Sequence, residues 1–237
     1  MAGFTGRPSS QKKYCLTTDN NGIHAVVFDM DGVLIDSHPA HLAAWREFLR
    51  SAGKEVFDDE LSFVLEGRTR SEILRHFLGP LPEQELERYG RRKDEIFRAL
   101  ECRIKLIPGV LEFLRNLNSQ RIVSAVATSA SEIRTFSTIE RLGMAEFFEV
   151  VVTASDVSWG KPDPMVYRLA CERLGIAPHH ALAFDDAPAG ILAAKSAGLR
   201  CVGVSSNGLA AQLLEAGAER IISDFKHLTL NNFVQAA

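Results

Sequence analysis

Cysteine is sparse in this chain, and no two cysteines lie close together. Cys15, Cys102, Cys171 and Cys201 form no C-x-x-C pair. That spacing argues against a zinc ribbon or a disulfide scaffold, and for buried, reduced thiols in a cytoplasmic protein. Long apolar runs are missing as well, since none approaches the roughly 20 residues of a membrane-spanning helix. Residues 1–21 are polar, lack the continuous apolar stretch of a signal peptide, and read as a loosely held tail. Positive charge is not in excess. Lys and Arg number 27 against 30 Asp and Glu, for a formal net charge of -3. Nothing there resembles the basic footprint of a nucleic-acid-binding surface.

Apolar residues, by contrast, are plentiful: 46% of the 237 residues, enough for a sizeable core. Their spacing alternates between two periods. Ile23 to Phe28 is a short β-branched run bounded by Asn20-Asn21-Gly22, which reads as a buried strand. A long helical block follows. His38 to Ala52 has Leu42, Trp45 and Leu49 at helical spacing, with Pro39 in the first turn. Asp58 to Leu65 reads as a short helix, Thr69 opens another with a T-x-x-E capping box, and Glu83 to Cys102 reads as a charged helix. No strand is evident between Ser37 and Lys105.

Beyond Pro108-Gly109 the periods alternate again. Strands are expected at Ile122–Ala127, Phe148–Thr153, Ala181–Phe184, Cys201–Val204 and Arg220–Ile222. Helices are expected at Val110–Leu117, Glu132–Leu142, Asp163–Leu174, Ala189–Ala197 and Leu209–Ala216. Strands alternating with helices of about ten residues imply parallel β-α units. The expected architecture is therefore an α/β, Rossmann-like core with a parallel sheet, formed by 22–36 and 106–237. A small helical module, 37–105, is inserted in it.

Four polar sites then fall at or just beyond strand ends: Asp29 and Asp31, Thr128 and Ser129, Lys161, and Asp185 and Asp186. In a parallel sheet those ends share one edge, where ligands bind. Each has an ordinary reading, as a turn, a helix cap or a solvated charge. Together they resemble a phosphoryl-transfer site, in which a cation and a lysine neutralise phosphoryl oxygens while an aspartate attacks.

The segments FDMDGVLIDS, VATSAS, GKPDP and FDDAPAGI, in that order, resemble the four motifs of the haloacid-dehalogenase superfamily. The similarity is to the branch of β-phosphoglucomutases and small sugar-phosphate phosphatases, and spans roughly Gly22 to the end. It implies that Asp29 is a nucleophile forming an aspartyl-phosphate and that Asp31 is the acid and then the base. Mg²⁺ would bind Asp29, the Asp31 carbonyl and Asp186, with Asp185 in support. Thr128, Ser129 and Lys161 would hold the phosphoryl group. The inserted module would be a mobile cap in which His41, Trp45, Arg70 and Lys93 meet the substrate. Taken alone, Trp45 reads more readily as core than as a substrate contact, and the two cap cations read equally as surface charges.

In the mutases a Lys-Asn pair follows the second motif, whereas Ser131 and Glu132 stand here. An acid beside a phosphate is repulsive, which favours a phosphatase over a mutase. The expected partner is a small phosphate ester, acted on by a monomer or weak dimer, with no nucleic acid or membrane involved. A receiver-type or sensor protein is the non-enzymatic alternative, since receivers also combine a strand-end acid pair, a lysine and Mg²⁺. They lack the long helical insertion.

Overall fold

The computed structural model describes residues 22–65, 69–205 and 208–233. The tail expected at 1–21, with Cys15, lies outside the described residues. Six parallel strands form one sheet in the order β5-β4-β1-β6-β7-β8. They are β1 (Ala25–Phe28), β4 (Val123–Ala127), β5 (Val150–Val152), β6 (Ala181–Asp185), β7 (Arg200–Val204) and β8 (Arg220–Ile222). This is the Rossmann-like α/β core read from the alternating periods. The chain starts in the middle of the sheet, runs outward through β4 and β5, then crosses to the other side of β1. The direction of winding thus reverses at β1, and a crevice opens at its carboxyl end.

Period-2 alternation divides the two faces of the sheet. Val26, Phe28, Val126, Leu182 and Phe184 face one side, where Phe113, Leu114 and Leu117 of α5 (Val110–Ser119) pack on them. Ala25, Val27, Ala125, Ala127, Ala181 and Ala183 face the other. There α7 (Met165–Leu174) and α8 (Pro188–Ala197) close over them with Val166, Tyr167, Ala170, Ile191 and Ala194. One side is filled by aromatic rings, with Phe28 stacked on Phe184 at 5.4 Å and Phe225 at 5.2 Å from Phe184. The alanine-rich side lets its helices approach closely. The remaining core helices are α6 (Glu132–Arg141) and α9 (Ala210–Glu215).

The helical block emerges between two very short strands. Strands β2 (Ile35–Asp36) and β3 (Lys105–Leu106) pair antiparallel, Ile35 opposite Leu106 and Asp36 opposite Lys105. Reading the sequence missed this pair because two-residue strands carry no period. Between them lie α1 (His38–Ser51), α2 (Asp58–Leu61), α3 (Arg70–Leu78) and α4 (Glu83–Leu100). Trp45, Phe48, Leu49, Leu61, Ile73, Leu74, Phe77 and Leu86 give the block a buried cluster of its own. The capping box forms as read: Thr69 Oγ1 accepts from the Glu72 N–H, and Glu72 accepts from the Thr69 N–H at 2.7 Å.

Several boundaries shift. The helix expected at Asp58–Leu65 tightens to a 3₁₀ turn after Leu61, and the one expected to reach Cys102 does so after Leu100. The helix expected from Asp163 starts at Met165, because the Asp163 carboxylate accepts from the Met165 N–H at 2.9 Å and turns the chain. Cys171 and Cys201 are buried free thiols as expected, but Cys102 is exposed. It sits in the turn after α4, outside the buried cluster. Among the described residues no helix is long and apolar enough to cross a membrane.

Gly109 precedes α5 with φ +84°, and a Cβ there would lie 2.3 Å from the Phe225 carbonyl carbon. Gly109→Ala should therefore lose about 1–3 kcal/mol through backbone strain and overpacking, read as a lower urea midpoint.

Candidate active site

Strand pairing decides which carboxylates meet. Strands β1 and β6 are neighbours in parallel register, Phe28 opposite Phe184. The next residues, Asp29 and Asp185, therefore arrive side by side at the carboxyl edge. Asp185 is itself the last residue of β6, one beyond the strand end read from the sequence. Asp186 follows, and one carboxylate oxygen from each of Asp29, Asp185 and Asp186 lies within 4.8 Å of the others. All three residues are buried.

Like charges at that spacing need compensation. Lys161 Nζ supplies it, 2.9 Å from Asp29 Oδ1 and 2.7 Å from Asp185 Oδ2. Tyr167 O–H donates to the same Asp185 oxygen at 2.5 Å, and the Ala187 N–H donates to the other at 3.0 Å. His38 Nε2 lies 2.7 Å from Asp186 Oδ2. Gly32 makes room for that pair, since a Cβ on it would fall 2.1 Å from Asp186 Oδ2. Its φ of +69° also turns the chain away after Asp31.

The charge states follow from this crowding. Burial pushes the Asp29 carboxyl up to about 8; Lys161 opposes the rise, and Asp185, Asp186 and Asp31 add to it. Burial likewise raises Asp186, against the His38 bond. Burial would lower Lys161, but Asp185 and Asp29 overcome it and hold the ammonium charged. One lysine thus bridges two of the three acids and His38 meets the third, while the raised Asp29 and Asp186 carboxyls mark the group as undercompensated. Hard oxygen donors so grouped fit a divalent cation.

Asp31 lies apart from that trio. Arg134, on α6, grips it with both arms of its guanidinium, at 2.7 and 2.5 Å. His41 Nε2 is 3.7 Å from Asp31 Oδ1. Burial would raise the Asp31 carboxyl, but Arg134 and His41 outweigh it and hold it well below the usual carboxylate range. His41 is lowered to about 4 by burial, with the Lys93 and Arg134 charges adding. Lys93 is buried too, and its Nζ sits over the rings of Trp45 and Phe97 at 5.3 and 4.9 Å. Burial lowers it to about 8, opposed by Asp94.

One cavity of about 910 Å³ collects the charged groups of both clusters. From the sheet edge it is lined by Asp29, Asp31, Thr128, Ser129, Lys161, Asp185 and Asp186, and from the helical block by His41, Trp45, Arg70 and Lys93. Every residue expected from the sequence to hold the cation, the phosphoryl group or the substrate is brought together there. Thr128 is buried, and its Oγ1 accepts from the Ala130 N–H at 3.1 Å, while Ser129 is exposed. Trp45 both lines the cavity and belongs to the buried cluster of the helical block. Arg70 is exposed and bonded to Asp94 at 2.6 Å, whereas Lys93 is no surface charge.

A sequence profile of the haloacid dehalogenase-like hydrolases matches residues 26–204. The chain belongs to this family. It is 37% identical to a phosphorylated carbohydrates phosphatase of Thermotoga maritima, over 84% of this chain and 94% of that one. It is 30% identical to a β-phosphoglucomutase of Bacillus subtilis, over 87% of this chain and 92% of that one. Among solved structures, a variant of CbbY from Rhodobacter sphaeroides in complex with xylulose 1,5-bisphosphate superposes with a TM-score of 0.76. It is 28% identical, and the match covers 90% of this chain and all of that one. This haloacid dehalogenase-like hydrolase is accordingly an enzyme.

Three site residues escaped the sequence reading: His38, Tyr167 and Arg134. Each sits on a helix with no local signal that separates it from a surface or core residue. Glu132, read as an acid that would repel a second phosphate, is exposed and does not line the cavity. Its helix instead brings in Arg134, a cation, so the electrostatic reason for disfavouring a mutase falls away.

Removing the shared cation should expose the acid cluster. Lys161→Met is expected to lower stability by about 3–5 kcal/mol in urea denaturation with chelator present, because it strands two buried carboxylates.

Proposed function

We propose that this hydrolase is a Mg²⁺-dependent phosphatase acting on a small phosphorylated carbohydrate through an aspartyl-phosphate on Asp29. The observation that carries this reading is the buried Asp29, held by Lys161 beside two further acids at the sheet edge. The likeness to a phosphorylated carbohydrates phosphatase supports the substrate class.

In this reading the incoming phosphate monoester hands its proton to the ionised Asp31, an Asp29 carboxylate oxygen attacks phosphorus, the bond from phosphorus to the sugar oxygen breaks, and Asp31 passes the proton to that oxygen. Water then attacks the aspartyl-phosphate, Asp31 takes its proton and returns it to the inorganic phosphate that leaves, and both carboxylates are restored. Lys161, Thr128 and Ser129 hold the phosphoryl oxygens. Asp29, Asp186 and the Asp31 carbonyl would hold Mg²⁺, with Asp185 orienting Lys161. The cation supplies positive charge against the phosphoryl oxygens when bound.

Residues 37–105 act as a cap on a core of 22–36 and 106–237. His41, Trp45, Arg70 and Lys93 read the carbohydrate. The enzyme works in the cytoplasm as a monomer or weak dimer, a placement in keeping with the unpaired thiols among the described residues.

A mutase is the second reading. It is favoured by Lys93, buried with its nearest carboxylate oxygen 3.8 Å away, and by Arg70 near it, which could meet a second phosphate. Phosphate release from a panel of sugar and polyol phosphates, with Mg²⁺ and with EDTA, tests both. Free phosphate that EDTA abolishes is the expected result. Glucose 6-phosphate formed from β-glucose 1-phosphate and a bisphosphate primer would favour the mutase instead. Silence across the whole panel would revive a phospho-ligand sensor. Asp29→Asn should cost about 10⁴-fold or more in kcat, since an amide is a poor nucleophile.

A further inference from the structure

Both oxygens of the Asp31 carboxylate are gripped by a residue outside every motif that frames the site. Arg134 lies on the third position of α6, and its side chain is 16% exposed. Its two terminal nitrogens take the two Asp31 oxygens. A two-point fork fixes the plane of a carboxylate as well as its place, which a lysine cannot do. The same guanidinium also reaches out of the core. Its Nε is 3.6 Å from Glu101 Oε1, and its carbon sits 4.7 Å from the Phe97 ring centroid. Glu101 follows α4, and Phe97 is on it. Phe97 in turn stacks on His41 at 4.2 Å, and His41 faces Asp31 from α1.

From this geometry we propose that Arg134 is a positioning residue for Asp31, and that it makes the placement of Asp31 depend on the helical module. Resting on the phosphatase reading above, the inference assigns Arg134 no contact with substrate. Its fork holds Asp31 in one orientation. Phe97 and Glu101 hold the fork, so the whole assembly is complete only with α4 seated against the core. A carboxylate already oriented needs no rearrangement when the proton moves.

The test is steady-state kinetics on the best sugar phosphate of the panel, with p-nitrophenyl phosphate alongside. Arg134→Ala is expected to lower kcat by about 10–100-fold with KM nearly unchanged, the scale of a misplaced catalytic group. Arg134→Lys should recover only part of the loss, because it restores the charge and not the fork. Glu101→Gln should give a smaller fall of the same kind. In an Asp31→Asn background Arg134→Ala should change kcat by less than about twofold, since the two residues act as one unit. Should Arg134→Ala not fold, as judged by its thermal midpoint, Arg134→Lys and Glu101→Gln carry the comparison. An Arg134 variant that is folded and fully active, or faster, overturns the proposal. So does a loss confined to KM, or one that adds fully to Asp31→Asn. A wild-type enzyme silent on every ester overturns the phosphatase reading first, and the two failures are thereby distinguished.

Discussion

The structure depends on one ammonium group placed between two carboxylates. Parallel, in-register pairing of β1 with β6 leaves Asp29 and Asp185 no choice but to be neighbours. Two buried acids at that distance repel, and the loop before α7 must deliver Lys161 to hold them. Tyr167 and the Ala187 N–H take the other bonds of Asp185, so its side chain is fully occupied and orients the lysine. Asp29 is left as the acid with the least support, and burial raises its carboxyl accordingly. Undercompensated negative charge at the mouth of a cavity is what a metal ion and a phosphoryl group can both exploit.

A second balance sits a few ångströms away and has the opposite sign. Around Asp31 compensation is complete: Arg134 takes both of its oxygens, and His41 lies 3.7 Å from one of them. Asp31 stays ionised while Asp29, two residues earlier, is pushed the other way. Two carboxylates whose surroundings pull them apart can take different roles in one reaction. The groups that make the difference come from separate bodies of structure. Those around Asp29 come from the sheet edge, and those around Asp31 come in part from α1 and α4.

Residues in local motifs were legible. Asp29, Asp31, Lys161, Asp185 and Asp186 stand next to glycines, prolines and strand ends that mark them. Trp45 and Lys93 were only half legible. Helical spacing put them on a face, but whether that face met the core cluster or the cavity required packing, and Trp45 does both. Glu132 was misread because sequence proximity to a motif was taken for proximity to the cavity. On a helix, two residues of separation is slightly more than half a turn, so Arg134 lines the cavity where Glu132 does not. Cys102 was misjudged for a similar reason, as its turn falls outside any apolar pattern.

By itself the order of apolar periods determined the parallel sheet, the inserted helices and the edge on which chemistry-bearing residues gather, because each depends on short-range patterning. Tertiary structure alone decided the partners of those residues. His38 meets Asp186 across 148 positions of chain, and Arg134 meets Asp31 across 103. Contacts so distant leave no trace in local spacing, and they emerge only once β1 lies between β4 and β6 and the helical block sits over the sheet edge.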